Sequence, residues 1–376
     1  MEVSKKILYI RSGPYELSFD NYNLQEIGLG KAFCKEGYDF DLLYYSKENR
    51  DQIIEVENKR IKVLWRKGIK ILRTGIYPQI LKKSFLSKYD TVIVSEYSQL
   101  MSILVSILHK NTYIYNGPYY NMFKIPFVEK IYDNLFINFI NKNVIKIFSK
   151  TERAKQFIEK KGIVNVEVVG VGLDSTKFDK EKYLKKETEN LLEKMKNKRN
   201  ILYVGAIIKR KNVELIINAF NEIKKDKKYE DVQLVLIGKG EEKYVKQCFS
   251  LLTKEAKLNV IHESFIENAQ LKFIYEKSEI FLLPSFQEIF GMVLLEAMYF
   301  GLPTISSNSA GGETLINSNY NGVIVNSYNE NEWKEKICAL LDNKKLRINM
   351  GMKAKETIEN NFMWDSIVCK MMKEIK

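Results

Sequence analysis

Cysteine and histidine are scarce in this chain, and long apolar runs are missing. The four cysteines (Cys34, Cys248, Cys338 and Cys369) are scattered, with none of the close pairs that zinc or a disulfide framework needs. They read as reduced thiols of a cytoplasmic protein. The two histidines, His109 and His262, leave little material for a histidine metal site and are expected to be structural. No stretch reaches the roughly 18 apolar residues of a membrane span. Met1–Lys6 runs straight into the short apolar Ile7–Ile10, too short and poorly flanked for a signal peptide. No repeat of solenoid period is visible.

At 376 residues the chain is long for one core and comfortable for two domains. Its net charge is +13, of which +10 falls in residues 1–185. A first half this basic is suited to an anionic partner: nucleic acid, an anionic membrane or a phosphorylated acceptor. No nucleic-acid-binding module is recognisable, so nucleic acid is set aside.

The apolar runs are short and rich in Ile, Val, Leu and Tyr. Expected strands are Lys6–Ile10, Asp39–Tyr44, Thr91–Val94, Thr112–Tyr115 and Val144–Phe148, then Asn200–Val204, Val232–Ile237, Asn259–His262, Glu279–Leu283, Thr304–Ser306 and Gly322–Val325. Helical patterns lie between them at Leu24–Cys34, Gln99–Leu108, Thr151–Lys161, Val213–Ile223 and Met292–Phe300. Continuous apolar strands alternating with helices imply parallel sheets covered on both faces. Two such sets imply two doubly wound α/β domains. The polar stretch Asp179–Arg199 reads as a linker between a first domain, 1–178, and a second, 200–359. The end of the chain looks helical, with a break near Asn360–Asn361.

Ligands of open parallel sheets sit outside the carboxyl ends of the strands. After the strand Glu279–Leu283 comes Pro284-Ser285-Phe286-Gln287-Glu288-Ile289-Phe290-Gly291, then a helix. Gly291 falls where that helix begins, leaving free N–H groups that a phosphate can approach. Glu296 lies inside the helix, with Met292, Val293, Tyr299 and Phe300 at three and four positions and no basic neighbour. A buried carboxylate there needs donors, and a vicinal diol such as a ribose offers two.

The stretch Pro284–Met298 resembles the donor-site signature of the retaining GT-B glycosyltransferases, family four. Gly301-Leu302-Pro303-Thr304, Gly311-Gly312, Tyr203-Val204-Gly205 with Lys211-Asn212, and Gly172-Leu173-Asp174 fall where that family has its further motifs. The resemblance is strong from about Ile163 to Val325 and architectural before that. It implies a GT-B fold, two Rossmann-like domains facing a central cleft, with the C-terminal helix 360–376 rejoining the first. It also implies a nucleotide-sugar donor, by habit of the family a UDP-sugar, and no metal cofactor. Glu296 would then bind the ribose and Glu288 would sit by the donor sugar. Phe290, Gly291 and Met292 would present amides to sugar and phosphates. Lys211, with Arg210 beside it, would neutralise the leaving diphosphate, and Ile266 would lie near the base.

The sequence departs from the family at several places. Ala206 replaces an arginine, Ile289 a glycine, Asp20-Asn21 a glycine pair, and Asn116 the histidine that many members carry at a strand end. Asn116 is therefore carried as a catalytic candidate and Gly13, which remains after the first strand, as a donor-binding one. Glu96 and Tyr119, at strand ends of the first domain, are candidates for the acceptor. Glu96 could equally belong to a helix N-cap, and Gly117-Pro118 to a tight turn. A nucleotide-sugar epimerase of the same architecture is the rival enzyme, but would want more histidines. A catalytically silent sugar-nucleotide-binding subunit is the non-enzymatic rival. From Lys59 to Lys88 there are ten basic residues and no acidic one, interleaved with Trp65, Ile69, Ile71, Leu72, Phe85 and other apolar residues. That mixture suggests a segment on an anionic membrane that would deliver a lipid-linked acceptor; a free glycan is the other acceptor class.

Overall fold

The short apolar runs become strands of two sheets. In the computed structural model residues 5–17, 24–71, 73–123, 125–180 and 183–375 are described; Asp20-Asn21 and Leu72 lie outside them. The first sheet contains β1 (Lys6–Ile10), β2 (Asp39–Ser46), β3 (Arg50–Val56) and β4 (Lys59–Lys67), then, past a small hairpin of β5 (Ile69–Ile71) and β6 (Thr74–Ile76), β7 (Thr91–Ser95), β8 (Thr112–Asn116), β9 (Lys146–Ser149) and β10 (Val166–Val168). Its order is β10-β9-β8-β7-β1-β2-β4-β3, parallel except for the β3–β4 pair. The second contains β11 (Arg199–Val204), β12 (Val232–Ile237), β13 (Val260–Glu263), β14 (Ile280–Leu283), β15 (Thr304–Ser307) and β16 (Val323–Val325). Its order, β13-β12-β11-β14-β15-β16, is parallel throughout. This is the 3-2-1-4-5-6 order of a dinucleotide-binding fold, whose ligand crevice opens where the order reverses, between β11 and β14. In the first sheet the reversal lies between β1 and β7.

The chain divides into one unit of residues 1–174 with 363–376, and another of 175–362. The first unit thus ends at Asp174, not at 178, and the C-terminal residues return to it at Met363. There Leu173 and Met363 form a parallel bridge, and Lys35 pairs with Asp365 at 2.9 Å. The stretch 179–199 is not a linker. It carries the helix Lys186–Met195, which buries Thr188, Leu191 and Met195 in the second unit. Its apolar residues are few but fall at helical spacing, so three contacts suffice to dock it.

The basic run Lys59–Lys88 is partly core. Its first nine residues are β4, and Ile61, Val63, Leu64 and Trp65 point into the core. Ile76, Ile80 and Leu86 are also buried, leaving Ile69 and Ile71 as the strongly exposed apolar side chains of the described part. The acids absent from the run are supplied in space. Asp51 on the hairpin partner β3 pairs with Lys62 at 2.7 Å and Arg66 at 2.6 Å, and Asp39 reaches Lys59 at 3.5 Å. Trp65 lies under the Arg50 guanidinium at 4.8 Å. The strand part of the run is thus a partly neutralised sheet edge, while Arg60, Lys67, Lys70, Lys82, Lys83 and Lys88 remain exposed.

The core of the second unit gathers Phe220, Ile217, Leu234, Ile280 and the fully buried Trp333. Each such side chain contributes roughly 1.5–3 kcal/mol by leaving water, which fixes the strand ends on which the site is built.

Candidate functional site

At the reversal of the second sheet, two loops meet. After β11 the chain runs through Ala206 to a turn of 3-10 helix, Lys209–Lys211, and Asn212 takes a left-handed φ of 52° to start the helix Val213–Lys224. After β14 the loop 284–291 leads to Gly291, whose φ of +80° is open to glycine at little cost and turns the chain into the helix Met292–Tyr299. The Phe286 N–H donates to the Arg210 carbonyl at 2.9 Å, and the Arg210 guanidinium donates to the Gln287 carbonyl. Across this seam the Lys211 ammonium hydrogen-bonds the Glu288 carboxylate, both side chains only 12% exposed. Arg210 stands 4.0 Å from the same carboxylate. The two catalytic candidates of this unit are thus brought together, with Arg210 the nearest additional cation.

Gly311 holds the loop from the other side. A Cβ at Gly311 would fall 2.1 Å from the Phe290 carbonyl oxygen, so only glycine lets the helix Ala310–Leu315 approach so closely. Phe290 and Met292 are themselves buried, as is Ile266, three residues past β13. Their usefulness to a ligand therefore rests on the backbone rather than the side chains.

Glu296 is 1% exposed, and its partners are part of the protein. Oε1 accepts from Lys177 Nζ at 3.0 Å and from Asn268 Nδ2 at 3.5 Å; Oε2 accepts from the Tyr275 hydroxyl at 3.2 Å. Burial first, and the Glu296 charge second, hold the Tyr275 hydroxyl well above its ordinary pKa, so it stays a donor. The sequence showed a carboxylate without a basic helical neighbour. The neighbour is Lys177, on the short helix Thr176–Lys180, in the stretch read as the approach to a linker.

In the first unit the candidates occupy strand ends but differ in character. Asn116, the last residue of β8, is fully buried. Its Oδ1 accepts from the Tyr97 N–H at 3.4 Å and its Nδ2 donates to the Pro118 carbonyl at 3.3 Å. The amide ties the backbone at Tyr97 to that at Pro118. Tyr119 stacks edge-on to Tyr120 with centroids 5.1 Å apart. Gly13 follows β1 in an irregular loop of the first unit.

Glu96, directly after β7, adopts a left-handed φ of 60°, a strained conformation for a side chain of this size. It is not the N-cap: the helix Leu100–Leu108 is preceded by Gln99. Its carboxylate accepts from Gln99 Nε2 at 3.2 Å and lies 3.6 Å from Arg73 Nη2. Across the reversal, Arg11 pairs with Glu26 at 2.8 Å, and Lys150, directly after β9, donates to Gln25 Oε1 at 2.8 Å. Burial lowers the Lys150 pKa from its ordinary value. Arg11, Arg73 and Lys150 escaped the sequence reading; Arg11 and Lys150 each follow a strand end, the signal that could have flagged them.

The histidines are structural: His109 Nε2 donates to the Tyr89 carbonyl at 2.9 Å and His262 Nε2 to the Gly238 carbonyl at 3.0 Å. Among the described residues no cluster of three or more His, Cys, Asp or Glu is placed to hold a metal, and no helix is long and apolar enough to cross a membrane.

Residues 184–357 match the family model described as glycosyl transferases group 1. Over that span the chain is similar to the glycosyl transferases group 1. An uncharacterized glycosyltransferase of Methanocaldococcus jannaschii is 32% identical over 173 residues, which span 44% of this chain and 45% of that one. The match thus covers about half the length of that relative. An uncharacterized glycosyltransferase of Haemophilus influenzae is 25% identical over 348 residues, 88% of this chain and 89% of that one. Among solved structures, Anabaena HepE in complex with UDP superposes with a TM-score of 0.73 at 14% identity, covering 98% of each chain. At that identity the likeness concerns fold, and the fold is GT-B. The matched span begins just before the helix Lys186–Met195 and runs past β16, so it encloses Lys211, Glu288 and Glu296.

Proposed function

We propose that this chain is a retaining glycosyltransferase. It moves a hexose or N-acetylhexosamine from a nucleotide sugar, UDP being the nucleotide, to a hydroxyl of a glycan or lipid-linked acceptor in cell-surface polysaccharide or glycolipid synthesis. The observation that carries this reading is the Lys211–Glu288 pair at the strand-order reversal of the second unit, inside the span that matches the group 1 family. UDP bound to HepE, a protein of the same fold, supports the choice of nucleotide.

In this reading the diphosphate lies against Lys211, Arg210 and the open N–H groups at Gly291 and Met292, where negative charge grows as the sugar–phosphate bond breaks. Glu288 orients Lys211 in the unliganded site and receives the sugar hydroxyls in the liganded one. Glu296 exchanges part of its Lys177 and Asn268 bonding for the ribose diol. The acceptor oxygen bonds to the anomeric carbon on the face the diphosphate leaves, and the acceptor proton passes to a phosphate oxygen of the departing nucleotide. No protein base is required in this reading. No metal is assigned to the reaction, since Lys211 and Arg210 supply the positive charge. The acceptor is held at the carboxyl ends of β1 and β7, where Arg11, Arg73 and the strained Glu96 gather.

A panel of nucleotide sugars tests the reading, scored by thermal shift and by slow hydrolysis without acceptor. Stabilisation by UDP and hydrolysis of at least one UDP-sugar are expected. Stabilisation with no hydrolysis of any sugar nucleotide would instead indicate a silent binding subunit.

A further inference from the structure

A further apolar, cationic surface stands on the first unit, on the helix Pro126–Asn143. Phe127, Ile131 and Leu135 recur at every fourth position, one face of a helix, and are 68%, 43% and 64% exposed. Ile125, just before the helix, is 60% exposed and continues the row. Large apolar side chains this exposed are ordinary singly, but an unbroken row along one helix face marks an interaction surface.

The charges of this helix are sorted by sign. Its two acids, Glu129 and Asp133, turn inward and both pair with Lys161, each of the three side chains only 14% exposed. Its lysines, Lys130 and Lys142, are exposed beside the apolar row and make no ion pair among the described residues. The solvent face of the helix is therefore Phe, Ile, Leu, Asn and Lys without one carboxylate. An apolar stripe flanked by lysines, with the acids withdrawn, complements the acyl boundary and headgroups of an anionic bilayer. A second copy of the chain docking through the same face would set Lys130 and Lys142 against the same lysines of its partner. We infer that the helix Pro126–Asn143 is an interfacial membrane anchor, lying in the headgroup plane of anionic phospholipid bilayers and seating the first unit there. The inference stands whether or not the transferase reading does.

Co-sedimentation with phosphatidylcholine vesicles, with and without phosphatidylglycerol, tests it on the full chain. Binding to the anionic vesicles alone is expected, weakened by salt. Each lysine near such a surface is worth a factor of about five in partitioning, so a Lys130→Glu, Lys142→Glu variant should bind at least about 25-fold more weakly. Phe127→Ser with Leu135→Ser should abolish binding, and because both positions are exposed the melting temperature should not fall. Three results would overturn the inference: equal or absent binding to both vesicle types; binding lost on changing Arg66, Lys67 and Lys70 to Ser but kept in the helix variants; or concentration-dependent self-association that the Phe127→Ser, Leu135→Ser variant removes.

Discussion

Replacing Lys177 by Met would leave the Glu296 carboxylate, 2% exposed in its side chain, with Tyr275 and Asn268 as its only donors. Breaking a buried pair from one side costs about 3–5 kcal/mol. The Lys177 side chain is 20% exposed, and two donors remain, so solvent screening reduces the expected cost to about 2 kcal/mol. Glu296→Gln leaves the ammonium without its carboxylate but free to move toward water, a cost of about 1 kcal/mol. The double variant removes both charges and strands neither, so it should lose less than the sum, by about 1 kcal/mol or more. For a unit of this size the Lys177→Met loss corresponds to a fall of about 4–8 °C in melting temperature. Urea denaturation followed by circular dichroism and by fluorescence, with Trp333 reporting from the core of the second unit, gives all three free energies. Additivity within about 0.5 kcal/mol would show that Lys177 does not satisfy Glu296 and would refute the account of that carboxylate.

Glu296→Gln should also weaken UDP binding by about tenfold, as a charge-assisted bond becomes a neutral one, measurable by calorimetry. Gly311→Ala forces the Phe290 carbonyl away from the position it holds at 2.1 Å from the new methyl; UDP affinity should fall with little change in helix content, read by calorimetry and circular dichroism. Burial raises Tyr9, Tyr44 and Tyr115 in the first unit and Tyr275 in the second well above their ordinary 10.0. The folded chain then holds protons that the unfolded chain releases, so stability is intact below pH 10 and falls as pH rises through it, by about 1.4 kcal/mol per pH unit for each tyrosine. Tyr275→Phe should make that alkaline limb shallower for the second unit without removing it, since burial also raises Tyr203, Tyr229 and Tyr244, as urea melts between pH 9 and 11 would show.

Strand ends were legible wherever the apolar run was continuous: Lys6–Ile10 and Val232–Ile237 coincide with β1 and β12, because strands buried on both faces leave no room for polar residues. The hairpin β3–β4 was not legible. It lies at the sheet edge, where Lys62 and Arg66 can turn to Asp51, so its sequence reads as charge. The helix Lys186–Met195 was hidden for the same reason, with three buried residues among polar ones. The loop 284–291 and the helix after it were readable because Glu288, Gly291 and Glu296 lie along one segment. Lys177 and the Arg73–Glu96 contact were not, since they join residues 119 and 23 positions apart by tertiary packing alone. The withdrawal of Glu129 and Asp133 onto Lys161 is equally invisible in a charge count.

The central claim is retaining transfer at the Lys211–Glu288 pair. Proton NMR of the first-formed product from an α-linked UDP-sugar, run with wild type and Lys211→Ala, tests it most directly. The account predicts an α-linked product and a loss of about 10²–10³ in kcat for Lys211→Ala, with donor affinity changed far less. A β-linked product, or near wild-type turnover in Lys211→Ala, would contradict it.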